Sequence, residues 1–204
     1  MKTTHLISLF LLASFLITGC ATMTKTQIQL KDGTQKDGMG RLDTFGGQTV
    51  KFKEDGTDQT VIYRFDDISS ASIYQDGDVN KYVKIKVKGS VFSEIVIEVQ
   101  SGSVTLYKQV IQRTSGGMPM GPNFGGAPRM SMGYTYTIEH YYLKKNNETE
   151  ATHLGSTDLF TKNFKKAASE YFADCPSLVK LISEKTYTKS DIEHIVYYYN
   201  TNCF

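Results

Sequence analysis

Four Asp-Gly pairs divide the first part of the chain into short segments in which apolar and polar residues alternate. The pairs are Asp32-Gly33, Asp37-Gly38, Asp55-Gly56 and Asp76-Gly77. Both residue types tolerate the backbone angles of tight turns, so each pair is predicted to be a turn. The segment YVKIKVKG at 82–89 alternates apolar residues with lysines, which is typical of a strand with one face in the core. The first part is therefore predicted to consist of antiparallel strands.

Helical spacing replaces the strand pattern near the end of the chain. The apolar residues of TDLFTKNFKKAASEYFADC at 157–175 fall on one helical face, with Ser156 or Thr157 as the expected cap. Pro176 is expected to open a second helix, and Thr188, with Asp191 three residues later, to cap a third. The predicted fold class is α+β: a small antiparallel β-barrel or bent sheet followed by a C-terminal three-helix segment packed on it. Packing is expected because three short helices alone bury too little apolar surface.

The start of the chain has the organisation of a bacterial secretion signal. Lys2 supplies the positive charge, and the apolar run 6–17 has the length of a signal-peptide core and is too short to span a bilayer. The segment LITGC at 16–20 is similar to a lipobox, the motif whose cysteine becomes acylated. A chain cut before Cys20 is expected to carry two or three acyl chains, as covalent diacylglycerol and N-acyl lipid, which anchor it firmly to a membrane.

The residues after Cys20 indicate which membrane the protein is attached to and which compartment it faces. Ala21 stands where an Asp would favour retention at the inner membrane, and the tether ATMTKTQ lacks the acidic cluster of surface-export signals. By analogy with such lipoproteins, the protein is expected in the cell envelope, at the outer membrane and facing the periplasm. With 23 basic and 21 acidic residues the net charge is +2, so no nucleic-acid partner is expected.

The chain is expected to divide into four parts. Residues 1–19 form the signal peptide, 20–26 a lipidated tether, 27–145 a β-rich domain and 146–204 a helical segment. Without the signal peptide, the chain is still long enough for one domain with a substantial core.

Two cysteines remain once Cys20 is assigned to the lipid. Cys175 and Cys203 are predicted to form a disulfide, since an even pair in an oxidising compartment favours one. Two free, buried thiols are the alternative, because spacing in the sequence does not establish the geometry that a disulfide needs.

A loop rich in Gly, Pro and Met, residues 115–133, interrupts the β-rich domain. Gly and Pro break both the helix and the strand periods, and loops of this length are often functional. Thioethers are soft ligands that select Cu(I), so two M-x-M pairs form a candidate copper site, consisting of Met118, Met120, Met130 and Met132. A plain mobile hairpin loop and a contact surface for a partner or a membrane are the alternatives.

The sequence contains no recognisable catalytic motif. Walker loops, G-x-S-x-G and H-E-x-x-H are all absent. His140, His153 and His194 are expected to be packing or surface residues, and His140 and His153 are not at a spacing diagnostic of a metal site. No cofactor is expected beyond the covalent lipid. An enzyme whose site is scattered over the sheet is the alternative.

Two stretches of the helical segment carry a family resemblance, NFKKAASEYFADCPSLVKLI at 163–182 and KSDIEHIVYYYNTNC at 189–203. They resemble the C-terminal "DCP…DI..IV..YN" module of uncharacterised envelope proteins common in Bacteroidetes, and LKDG and TLYK resemble their β-rich part. The resemblance implies an envelope location and a β-then-α layout, and it assigns no catalytic residue. The expected function is that of a membrane-anchored, non-enzymatic lipoprotein that binds or supports another envelope component. The alternative is periplasmic ligand or Cu(I) binding through the Met-rich loop.

Overall fold

Ten strands precede three helices in the computed structural model, which describes residues 22–43, 48–115, 134–156 and 164–203. The strands are β1 (Thr24–Leu30), β2 (Gln35–Leu42), β3 (Thr49–Glu54), β4 (Thr60–Arg64), β5 (Ile68–Gln75), β6 (Asp78–Lys86), β7 (Ser93–Gln100), β8 (Val104–Ser115), β9 (Tyr134–Lys145) and β10 (Thr152–Ser156). The helices are α1 (Phe164–Tyr171), α2 (Pro176–Ser183) and α3 (Ile192–Asn202), with a 3-10 turn at Lys189–Asp191. No helix in these ranges is long and apolar enough to cross a bilayer.

The strands join one antiparallel sheet in the order β10-β9-β8-β7-β6-β5-β1-β2-β3-β4. The sheet is open, because β4 and β10 are edges in this order of the described strands. Val87, just after β6, forms an isolated parallel bridge with Ala151, just before β10. The Lys88 amide donates to the Ala151 carbonyl at 2.9 Å. Strands that are not neighbours touch here, so the sheet is strongly bent. The α+β prediction is confirmed, with a bent open sheet rather than a barrel.

Two apolar clusters lie on opposite faces of the sheet. Tyr82 packs on the first cluster and the next residue, Val83, packs on the second. Consecutive side chains of a strand point to opposite faces. The first cluster consists of Ile28, Val50, Phe52, Phe65, Ile68 and Ala71. The second cluster consists of Ile85, Val87, Val96, Tyr107, Tyr142 and Ala151.

The helical segment covers the face of β8–β10 opposite the second cluster. The contact buries apolar side chains from both sides, namely Val104, Leu106, Leu143 and Leu154 of the sheet and Phe172, Leu178, Ile195 and Tyr199 of the helical segment. Asn200 of α3 also bonds to the sheet backbone. Its Oδ1 accepts from the Val104 amide at 2.8 Å, and its Nδ2 donates to the Val104 carbonyl at 2.9 Å. The helices therefore pack on the sheet, as predicted.

Three of the four Asp-Gly pairs form turns, and the fourth does not. Positive φ angles of 88°, 78° and 92° occur at Gly33, Gly56 and Gly77. Asp37-Gly38 lies inside β2, so the turn predicted there is wrong. A Cβ at Gly38 would lie 2.1 Å from the Lys53 carbonyl oxygen and 2.9 Å from the Phe52 ring. This glycine is needed because the neighbouring strand approaches closely, and not because the chain turns.

Two element boundaries differ from the expected division of the chain. β1 begins at Thr24, inside the expected tether 20–26. β10 is a strand inside the expected helical segment 146–204. The β-structure therefore extends further in both directions than the period-two pattern indicates. In β10, THLGS, Leu154 is the one large apolar residue, so no alternation is visible.

Two of the helix starts follow the sequence prediction. Pro176 is the first residue of α2, and Thr188 forms a capping box with Asp191 before α3. Ser156, one of the two residues predicted to cap the first helix, is the last residue of β10, and the segment between it and α1 lies outside the described residues. The other predicted cap, Thr157, lies outside the described residues.

Candidate functional site

A cavity of about 290 Å³ opens on the face of the bent sheet that carries the second cluster. Its walls come from the β6–β7 connection, β7, β9 and β10, and consist of Val87, Lys88, Gly89, Ser90, Glu94, His140, Tyr142 and His153. Val87 and Tyr142 also belong to the second cluster, so the cavity has an apolar floor. Apart from Gly89, the other lining residues are polar or ionisable, so the cavity is more polar than a typical small-molecule pocket.

Two histidines meet in this cavity. His153 pairs with Tyr142 in the β9–β10 register, so it lies diagonally next to His140 on the same face. The register shifts between His153 and Gly155, where the φ angle is 151°. His140 Nδ1 lies 3.3 Å from His153 Nε2, and the ring centroids are 5.4 Å apart. A hydrogen bond between these nitrogens requires that the accepting ring is neutral.

Burial sets the protonation states around the histidine pair. Burial, and then the neighbouring His140, lower the pKa of His153 below its usual value of 6.5, so this ring is neutral at pH 7. Burial, and then the Glu94 carboxylate, raise the pKa of Tyr142 to about 12, so its hydroxyl stays protonated. That hydroxyl donates to Gln109 Oε1 at 3.2 Å, and Gln109 Nε2 donates to Glu94 Oε2 at 2.8 Å. The Gln109 amide is thereby held in one orientation.

The cavity offers two imidazole rings, a carboxylate and a phenol to a ligand. Neutral imidazole is a common ligand of zinc and copper. Within the part of the chain that the structure describes, no group of three or more His, Cys, Asp or Glu side chains is arranged to hold a metal ion. A metal at the histidine pair would therefore take its remaining ligands from solvent or from a bound small molecule.

Comparison with known proteins supplies no relative from which a role could be transferred. No family model, curated protein or solved structure matches this chain. The resemblance to uncharacterised Bacteroidetes proteins stays a prediction, and function is inferred from the chain's own residues.

Of the site residues predicted from the sequence, the structure describes only Cys175 and Cys203, and neither lines the cavity. The sulfur atoms of Cys175 and Cys203 lie 2.02 Å apart, at disulfide distance, and connect the start of α2 to the end of α3. Cys20 and the candidate copper ligands Met118, Met120, Met130 and Met132 lie outside the described residues. β8 and β9 pair as far as Ser115 and Tyr134, so the segment between them connects the strands of a long hairpin, as expected.

Sequence reasoning missed the histidine pair. His140 and Tyr142 lie two residues apart on β9 and therefore share a face. His153 belongs to β10, which the sequence pattern does not indicate. A shift of one residue in the pairing would also move His153 to the other face of the sheet. The meeting of the two rings therefore depends on a register that no local signal specifies.

Proposed function

We propose that this chain is a lipid-anchored protein of a bacterial cell envelope that binds another envelope protein and catalyses no reaction of its own. The LITGC motif and the apolar run before it support an anchor at Cys20. The Cys175–Cys203 pair at disulfide distance supports an oxidising compartment such as the periplasm. Ala21 supports the outer membrane over the inner one.

In this proposal, the tip of the β6–β7 connection is the surface that contacts the partner protein. Val91 and Phe92 at this tip are 95% and 76% exposed. Exposed aromatic and aliphatic side chains of this kind are common anchors for a pocket on a partner. The β6 strand begins at the same end of the sheet as β1, with β5 between them, and leads to this tip. Its length is roughly 26 Å at about 3.3 Å per residue. The apolar tip is thus separated from the lipid attachment by the length of the sheet.

Site-specific photo-crosslinking tests the role of this tip. A photoreactive phenylalanine analogue replaces Phe92 in the full acylated protein within native envelopes. The matched control carries the same analogue at Tyr197, an aromatic residue of α3 that is 62% exposed. We expect one discrete cross-linked protein from position 92 and none from position 197. Equal products from both positions, or no product from position 92, would contradict the proposal.

Binding of a transition metal is a second candidate function, favoured by the histidine pair. Two imidazole nitrogens on a tetrahedral zinc ion lie about 3.3 Å apart, given zinc–nitrogen distances of about 2.0–2.1 Å. His140 Nδ1 and His153 Nε2 have this separation, 3.3 Å. The lowered pKa of His153 also favours the neutral ring that a metal requires.

Metal titrations distinguish the histidine pair from the Met-rich loop. His140→Gln with His153→Gln removes the pair, and His194→Gln is the matched control on α3. A third variant replaces the four predicted Cu(I) ligands by Leu, at Met118, Met120, Met130 and Met132. We expect Zn(II) affinity to fall by about tenfold or more only in the double His variant. Cu(I) affinity lost only in the Met variant would instead support the loop, and unchanged affinities in all variants would exclude both sites.

A further inference from the structure

A basic groove lies on the outer face of β1–β4, next to the point where the tether joins the sheet. Arg41 pairs with Lys51 and Lys51 pairs with Ile62, so these side chains share one face. The groove has a volume of about 320 Å³ and is lined by Met23, Arg41, Lys51, Thr60 and Ile62. It combines two cations with two apolar side chains, on the face opposite the first cluster.

Other residues on this face continue the mixture of basic and apolar side chains toward the tether. Lys25 pairs with Met39, which is 42% exposed, and Met39 pairs with Lys53. Lys53 is ion-paired with Asp58 at 2.9 Å and adds little net charge. Asp37, the next β2 residue on this face, lies further from the tether. Asp43, whose amide donates to the Thr49 carbonyl at 3.1 Å just beyond β2, also lies on this face. The cations Lys25, Arg41 and Lys51 outnumber this one carboxylate, so the net charge is positive at the end of the face from which the tether emerges.

The short connection to Cys20 decides what this groove faces. Ala21 and Thr22 are the residues between Cys20 and the groove residue Met23. Three residues span at most about 11 Å when fully extended. Acyl chains on Cys20 would therefore hold the groove within that distance of the bilayer surface. At that range, cations can reach lipid phosphate groups and apolar side chains can reach the bilayer interface.

We propose that this groove docks on an anionic phospholipid bilayer, the same bilayer in which Cys20 is anchored; the inference rests on the proposed lipid anchor. Arg41 and Lys51 bind lipid phosphate groups, and Met23 and Ile62 contact the boundary between headgroups and acyl chains. Each Lys or Arg close to an anionic bilayer strengthens binding by about fivefold. Docking in this way holds the domain in one orientation on the membrane instead of leaving it free on its tether.

Vesicle co-sedimentation tests the groove without the lipid. The mature chain carries Cys20→Ser, so no acyl chain contributes, and it retains every described residue. Vesicles of phosphatidylglycerol and phosphatidylethanolamine are compared with vesicles of phosphatidylcholine. We expect binding to the anionic vesicles, lost at high salt because screening weakens charge attraction.

Arg41→Gln with Lys51→Gln is expected to weaken this binding by about 30-fold. If circular dichroism shows that the double variant is misfolded, Lys51→Gln alone is expected to weaken binding by about fivefold.

A second lysine pair provides the matched control. Lys166→Gln with Lys180→Gln removes the same charge from helical positions whose side chains are 76% and 73% exposed. An equal loss in this control, equal binding to neutral vesicles, or no binding to anionic vesicles would overturn the proposal. Mass spectrometry of Cys20 separates this result from the anchor. An acylated Cys20 without vesicle binding refutes only the groove, whereas vesicle binding with an unmodified Cys20 refutes only the anchor.

Discussion

At the scale of single residues, Asn200 joins the last helix to the sheet. Its side chain bonds both the amide and the carbonyl of Val104, a residue that is 0% exposed. Asn200→Ala leaves two buried backbone groups without these partners, and each such loss costs about 1–3 kcal/mol. We expect the free energy of unfolding in urea to fall by about 2–6 kcal/mol. Asn202→Ala, whose amide bonds within α3, is the control and is expected to change it by less than about 0.5 kcal/mol.

Gly38 is a second residue at which one added carbon has a large effect. The β-carbon of Gly38→Ala would overlap the Lys53 carbonyl, 2.1 Å away, so β2 and β3 must separate. Forcing extra volume into a close contact costs about 1–3 kcal/mol, and we expect a loss of this size in urea unfolding. Asp37→Ala, on the exposed side of the same strand, is the control. Equal stability of Gly38→Ala and the native chain would show that the strands do not approach as described.

His153 makes stability depend on pH. The pKa of His153 is lowered from 6.5 in the folded protein. Just below pH 6.5, the unfolded chain therefore binds a proton at His153 more strongly than the folded chain does. The stability that the neutral ring contributes is therefore present above about pH 6.5 and is lost as the pH falls through the lowered folded-state pKa. We expect His153→Gln to show a smaller loss of unfolding free energy than the native chain between about pH 7 and pH 5. A native profile that shows no loss of unfolding free energy over this range would contradict this account.

The same residues mark the limit of prediction from sequence. Asp-Gly predicts a turn correctly at Gly33, Gly56 and Gly77, where the backbone has a positive φ angle. It fails at Gly38, because what excludes a side chain there is a neighbouring strand, and no local pattern contains that information. The meeting of His140 and His153 is beyond prediction for the same reason, since it depends on strand pairing.

At the scale of elements, the Cys175–Cys203 pair connects α2 to α3 across a sequence separation of 28 residues. Closing a loop of this length in the unfolded chain stabilises the folded state by about 3.5 kcal/mol on the chain-entropy model. We expect a reductant, or Cys175→Ala with Cys203→Ala, to lower the free energy of unfolding by about this amount. Reductant should have no further effect on the double variant. Two free thiols in the denatured, unreduced chain, apart from Cys20, would contradict the pairing.

Helix starts are predictable because their signals are local, whereas strand ends in this chain are not. Pro176 and the Thr188–Asp191 capping box need only their own neighbours in sequence. β10 has the sequence THLGS, in which Leu154 is the one large apolar residue, so it shows no alternation of apolar and polar residues. Its pairing with β9 nevertheless completes the candidate site.

At the scale of the whole molecule, the bent sheet places the two candidate binding sites in different halves. The Val87–Ala151 bridge closes one side of the histidine cavity, while the other half of the sheet presents the basic groove near the tether. The layout of strands followed by helices is predictable from the change of period in the sequence. The cavity is not predictable, because its residues come from strands far apart in the sequence. The groove is not predictable either, because it depends on the register between β2, β3 and β4.

The intact mass of the protein purified from its own membranes tests the proposed anchor most directly. The account predicts a chain that begins at Cys20 and carries the mass of two or three acyl chains, in the outer-membrane fraction. A Cys20→Ala variant should lose that mass and leave this fraction. A native chain that retains residues 1–19, or that carries an unmodified Cys20, would contradict the central claim.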